Sequence, residues 1–158
     1  MLFRSRLPLL FRLESIVKTI QSTSKVRLAD LIQLTGRLLL ALIFVHEGLV
    51  LTVNFGGTVK GMASLGIGLP IVLAIIALQL GAGLSIGLGV LTRIGAVALG
   101  LFCLATAALF HTNFADQNEL LHFEKDLAIA GGMFTLAAVG AGALSLDRFV
   151  QRLYKSRA

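Results

Sequence analysis

From residue 70 to residue 91 not one side chain carries a charge. A hydrocarbon core about 30 Å thick takes about 20 helical residues to cross, so this stretch alone is long enough to span a bilayer. Three more stretches, 32–53, 94–111 and 127–146, reach comparable length with few or no charges. In lipid every backbone N–H and C=O must be satisfied within the segment or by a closed barrel, and the alternating ten-residue strands of a barrel are absent. The sequence therefore predicts an all-α membrane protein built as a four-transmembrane-helix bundle. Composition points the same way: 56% of residues are hydrophobic and 14% charged, against about 45–50% and about 25% in soluble domains. Pro70 suits a first helical turn, where its missing N–H has no partner to lose.

The net charge of +6 is explained by where the bases lie. Six Lys and Arg fall in residues 1–36, followed by Arg37, Arg93 between the second and third spans, and Arg148, Arg152, Lys155 and Arg157 at the end. Only Lys60 and Lys125 fall in the alternate loops, 55–68 and 112–126. The asymmetry predicts an integral membrane protein with both termini cytoplasmic. With so little polar surface, the charge gives no support for nucleic-acid binding.

Residues 1–30 read as a basic segment of their own. Leu9, Leu10, Leu13, Ile16, Val17 and Ile20 share one helix face, with Arg12, Glu14 and Lys18 opposite. That pattern predicts an N-terminal amphipathic cytoplasmic helix on the anionic leaflet. A transit peptide and an unstructured tail are the alternatives. Residues 31–149 form the four-helix membrane domain and 150–158 a basic cytoplasmic tail.

Glycines in the second span (Gly81, Gly83, Gly87, Gly89) and the fourth (Gly131, Gly132, Gly140, Gly142) are read as packing residues that let backbones approach in lipid. A nucleotide fingerprint would need a preceding strand and a distant acid, and both are missing. The single cysteine, Cys103, excludes an intramolecular disulfide framework and reads as inert packing.

Polar residues at membrane depth carry the functional signal. Glu47, beside His46, lies past the midpoint of the first span, where an unpaired carboxylate costs about 2.5–3.5 kcal/mol on insertion scales. Lys125 is the candidate to pair with it and His111 the candidate to share its proton. Gln79, mid-span, brings an amide to the same interior. His46, Glu47, Gln79, His111 and Lys125 thus outline a polar pocket opening to the outer half of the bilayer. Glu47 facing Lys125 purely as glue between helices is the plainer alternative. On the cytoplasmic rim Arg37, Arg93 and Asp147 read as charges anchoring helix ends, with an anionic-lipid contact as the alternative. Glu119 and His122 make a Glu-x-x-His pair near Asp116, His111 and Glu124. A di-iron bundle needs two such pairs on core helices, so no metal site is expected. No serine lies near a histidine and a carboxylate at matched depth, which argues against a nucleophilic triad.

Several runs taken in order resemble the DoxX family. Arg37-Leu-Leu-Leu-Ala-Leu-Ile-Phe precedes the polar pair, and Gly81-Ala-Gly83-Leu-Ser-Ile-Gly87-Leu-Gly89-Val-Leu-Thr92-Arg93 closes the second span. An outer His111 follows, then Lys125-Asp126-Leu-Ala-Ile-Ala-Gly131-Gly132 and the closing Gly142-Ala-Leu-Ser-Leu-Asp147-Arg148. The likeness covers about residues 34–149. That family takes its name from a small membrane subunit associated with quinone-linked oxidation, notably thiosulfate:quinone oxidoreductase. The resemblance implies a four-helix membrane protein working in redox or sulfur chemistry. Family members often carry glutamate where this chain has Gln79.

Two functions from different classes follow. In the first, the chain is an accessory or quinone-interacting subunit of a membrane redox complex, whose pocket hydrogen-bonds a quinone and handles its proton. It has no intrinsic cofactor: paired haem-ligating histidines and cysteine clusters are missing, so a partner oxidoreductase supplies the electrons. In the second, it is a non-catalytic membrane anchor or assembly protein whose polar residues only fix helix packing. A small-molecule carrier would need discontinuous helices, hinted at only by residues 55–68.

Overall fold

The computed structural model describes the backbone of residues 7–155 and the side chains of residues 28–150. Nearly all of the expected amphipathic face of residues 1–30 and of the basic tail lies outside the described side chains. The elements run α1 (Leu7–Val53), α2 (Phe55–Ser64), α3 (Leu69–Leu88), α4 (Thr92–Phe110), α5 (Gln117–Val139) and α6 (Leu146–Lys155). Among the described residues three helical segments are long and apolar enough to cross a membrane: Leu28–Val53, Leu69–Leu88 and Thr92–Phe110.

Two boundaries depart from expectation for clear reasons. A fourth span is expected over 127–146; the helix found there, α5, starts ten residues earlier and stops at Gly140, and it is not among the three. Asp116 Oδ1 accepts the Asn118 N–H at 2.8 Å, and Glu119 adds negative charge to the first turn, so a helix start inside the expected 112–126 loop is stabilised. At the other end Gly140 has φ 87°, a conformation a helix cannot continue through. Residues 55–68, expected as a loop, are mostly α2.

The helices pack as two close pairs, α1 with α3 and α4 with α5, joined through α3 against α4. The shared core includes Phe44, Ile86, Leu99, Cys103 and Met133. Small residues set the separations: a Cβ on Gly83 would lie 3.0 Å from Val45 Cγ2, and one on Gly100 would lie 2.9 Å from the Phe134 ring. Gly81 and Gly131 have nothing within 4 Å, so not every expected packing glycine is one. Outside this core a belt of large apolar side chains, among them Leu39, Leu42, Ile71, Leu101 and Leu109, stands exposed. A soluble monomer rarely shows so continuous an apolar surface.

One end of the bundle is tied by backbone carbonyls. Arg37 is buried, 3% exposed. It donates from Nη1 to Ala141 O at 2.6 Å and from Nη2 to Leu144 O at 2.9 Å. Gln33 Nε2 donates to Gly140 O at 2.7 Å. The rim charge Arg37 therefore anchors the α5–α6 connection through its main chain and not through Asp147. Asp147 instead accepts the Leu91 N–H on Oδ2 at 3.0 Å, holding the α3–α4 turn. That turn needs Gly89 at φ 75°, where the Gly89 and Val90 N–H groups close on Ile86 O and Ser85 O in a C-terminal glycine cap.

Leu91 also lies in the left-handed region, at φ 49°, which costs a non-glycine residue about 1–2 kcal/mol. Its side chain is largely exposed and contributes little packing. Leu91→Gly is expected to stabilise the protein by about 1 kcal/mol in detergent thermal denaturation; a fall in melting temperature would count against strain at this turn.

Candidate functional site

A cavity of about 460 Å³ lies between α1, α3, α4 and α5, with Met62 of α2 and the following Leu65 on its wall. Much of the lining is apolar, including Ile43, Phe44, Ile75, Phe102, Phe110 and Ile129. Six polar side chains converge on it: Glu47, Gln79, Thr106, His111, Lys125 and Asp126. An apolar hollow with a few convergent polar groups is the usual form of a small-molecule site.

Four of the five expected pocket residues, Glu47, Gln79, His111 and Lys125, line this one cavity. His46 does not. Successive helical residues point about 100° apart, so His46 can reach its neighbour only sideways, with Nδ1 3.7 Å from Glu47 Oε1, while two thirds of its side chain is exposed.

The expected pairings are replaced by others. Lys125 does not meet Glu47: its Nζ donates to His122 Nδ1 at 3.0 Å. Residues three apart on a helix are neighbours, and α5 already includes both. That bond leaves His122 Nδ1 as acceptor and its proton on Nε2. His111 does not meet Glu47 either, and its Nδ1 lies 2.9 Å from Glu119 Oε2. The two imidazoles stack with centroids 5.2 Å apart. Through His111 and Lys125 the cavity wall thus joins a linked set, Glu119–His111–His122–Lys125, while Glu47, its side chain 54% exposed, lines the hollow with only His46 as an ion-pair neighbour among the described residues.

Deeper in, Gln79 is 6% exposed and its Oε1 has no hydrogen-bond partner. A buried amide oxygen left unpaired costs about 1–3 kcal/mol. Gly48 of α1 presses close beside it, since a Cβ there would lie 3.3 Å from Gln79 Cβ. Two wall residues were missed from sequence. Thr106 Oγ1 lies 2.8 Å from Asp126 Oδ2 and 2.9 Å from Cys103 O, and it donates its one proton among them. The signal for Thr106 was helical spacing: Cys103, Thr106 and Phe110 recur at i, i+3, i+7, and all three line the cavity; that for Asp126 was its place beside Lys125. Cys103, expected as inert packing, is both buried in the core and part of this wall.

At the opposite end, Arg93 and Asp147 border a second hollow of about 770 Å³. Arg37 does not line it; its guanidinium sits against Gly89, where a Cβ would come within 2.6 Å of Nη1.

The sequence model of the DoxX family matches residues 32–112. The chain is 37% identical over 126 residues to inner membrane protein YqjF of Escherichia coli (strain K12), which covers 80% of this chain and 97% of that protein. It is 39% identical over 122 residues to inner membrane protein YphA of the same organism, covering 73% and 87% respectively. No solved structure matches it. The matched residues run from the start of the first span through α4 to His111 and so include Glu47, Gln79 and Thr106: the chain is an integral membrane protein of the DoxX family.

Proposed function

We propose that the protein is a non-catalytic, ligand-holding subunit of a membrane redox system, taking a quinone-class molecule into the cavity between its helices. The observation that carries this reading is the unpartnered amide oxygen of Gln79 buried at the apolar wall, with Glu47 lining the same space. The reduced form of such a molecule satisfies both kinds of lining: a hydroquinone hydroxyl donates to Gln79 Oε1, and its ring and tail meet the apolar wall. In this reading electrons come from a partner oxidoreductase. His111, His122 and Glu119 at the mouth would exchange the proton with the aqueous side.

The setting we infer is a bacterial inner membrane, the location named for both relatives. Both termini face the cytoplasm on the distribution of Lys and Arg. In this reading α5 is the fourth span. Its uncharged part, from residue 127 to Val139, is about 20 Å long, so its charged first turns would sit in the headgroup layer and the cavity mouth.

The test is purification in mild detergent followed by absorbance and extraction for bound quinone. Wild-type protein is expected to retain quinone. Gln79→Leu should lower retention about tenfold, the worth of one hydrogen bond to a buried polar group. Glu47→Gln and His111→Ala should lower it by smaller factors, and Leu101→Ala on the lipid-facing surface should leave it unchanged. A wild-type protein free of quinone, with unaltered cellular redox behaviour in the Glu47 and His111 variants, would overturn the proposal in favour of an anchor or assembly role.

A further inference from the structure

The hollow at the other end of the bundle has an unusual balance of groups. Asp30, Asp147, Arg93 and Arg148 all border it. Among the described residues none of the four comes within salt-bridge distance of another. Opposite charges gathered around one space without neutralising each other suit an occupant that carries both signs.

The same hollow has an independent mark of a missing partner. Thr92 lines it, is 2% exposed, and its Oγ1 has no hydrogen-bond partner. Thr92 opens α4, a 19-residue helix, so its own N–H and that of Arg93 are first-turn amides with no carbonyl behind them in the helix. The Leu91 N–H just before them is already taken by Asp147, which leaves Asp30 as the carboxylate of this hollow without a partner among the described residues. Amides at a helix N-terminus, a hydroxyl and two guanidinium groups are a phosphate-binding set. An inorganic anion would leave Asp30 facing it. Exposed Leu91 and Ile94 also line the space and offer an apolar exit for acyl chains.

We infer that this hollow holds the headgroup of a zwitterionic phospholipid with a primary ammonium, the phosphoethanolamine class. Its phosphate lies toward Thr92, Arg93 and Arg148, and its ammonium toward Asp30. A choline headgroup offers Asp30 no N–H donor, and a glycerol headgroup offers it no positive charge. The site is about 27 Å from the cavity mouth along α4 and does not depend on the quinone reading.

The experiment is competitive retention of phosphatidylethanolamine, phosphatidylglycerol and phosphatidylcholine by the full-length protein, read by native mass spectrometry after release from nanodiscs of equimolar composition. Wild-type protein is expected to retain the ethanolamine lipid about tenfold over the other two. Asp30→Asn should erase that preference while phospholipid is still retained, and Asp30→Glu should restore it. Arg93→Gln with Arg148→Gln should lower retention of all three lipids together. Equal retention of the three by the wild type, or an unchanged preference in Asp30→Asn, would overturn the inference. Soluble glycerophosphoethanolamine is expected to compete poorly; competition equal to that of the intact lipid would assign the site to a free zwitterion and overturn the lipid source.

Discussion

Arg37→Met is expected to destabilise the protein by about 2–6 kcal/mol. The guanidinium is buried and supplies the donors for two backbone carbonyls, Ala141 and Leu144. Leaving a carbonyl unpaired costs about 1–3 kcal/mol, toward the lower end at Leu144, which is exposed, and methionine, though similar in length, donates nothing. Arg37→Lys should recover only part of the loss, because an ammonium is a single point and lacks the fixed fork that sends Nη1 and Nη2 to different carbonyls. Denaturant or thermal unfolding in detergent measures both variants. A loss below about 1 kcal/mol for Arg37→Met would mean that the α5–α6 connection is held by other contacts, chiefly Gln33.

The second large effect is expected from Gly83→Ile, through both stability and the cavity. A Cβ at this position already falls 3.0 Å from Val45 Cγ2 and 3.3 Å from the Val45 backbone nitrogen. A backbone atom cannot rotate away as a side-chain tip can, so α1 and α3 must separate. Overpacking of this kind costs about 1–3 kcal/mol. Gly83 sits one turn beyond Gln79, and Val45 is two residues before Glu47, so the separation pulls apart the two walls that present those groups. Ligand retention should therefore fall with stability. Gly81→Ile is the matched comparison: its Cβ meets nothing within 4 Å, and the variant should behave as wild type. Equal behaviour of the two variants would show that α1 and α3 tolerate wider spacing than their glycines indicate.

Much of this arrangement is legible in the sequence, and the parts that are not have physical causes. The three apolar spans follow from composition alone, because lipid leaves the backbone no alternative to a helix. The end of α5 was harder. Gly140 and Gly142 sit among other small residues that continue a helix elsewhere, and only their positive φ distinguishes them. Glu47, Gln79, His111 and Lys125 were grouped by depth, which is set by counting along spans, and all four line one cavity. Their partners did not follow, since pairing depends on rotation about each helix axis. Once α5 begins at Gln117, His122 is a nearer partner for Lys125 than any residue on α1. His46 fails for the same reason, adjacent in sequence to Glu47 yet turned away from the cavity. Thr106 is uncharged and ordinary in a membrane helix, so nothing but its face marked it.

The clamp around Arg37 also orders the events of biosynthesis. Its two acceptors lie 104 and 107 residues later in the chain. At about 5–20 residues per second of synthesis, roughly 5–20 s separate the emergence of this arginine from that of its partners. During that interval the first helix carries an unmatched guanidinium beside the membrane, visible to water, to anionic lipid and to quality-control proteases. Completion of the last connection removes it from view, so burial of Arg37 reports that the whole bundle has been made and closed.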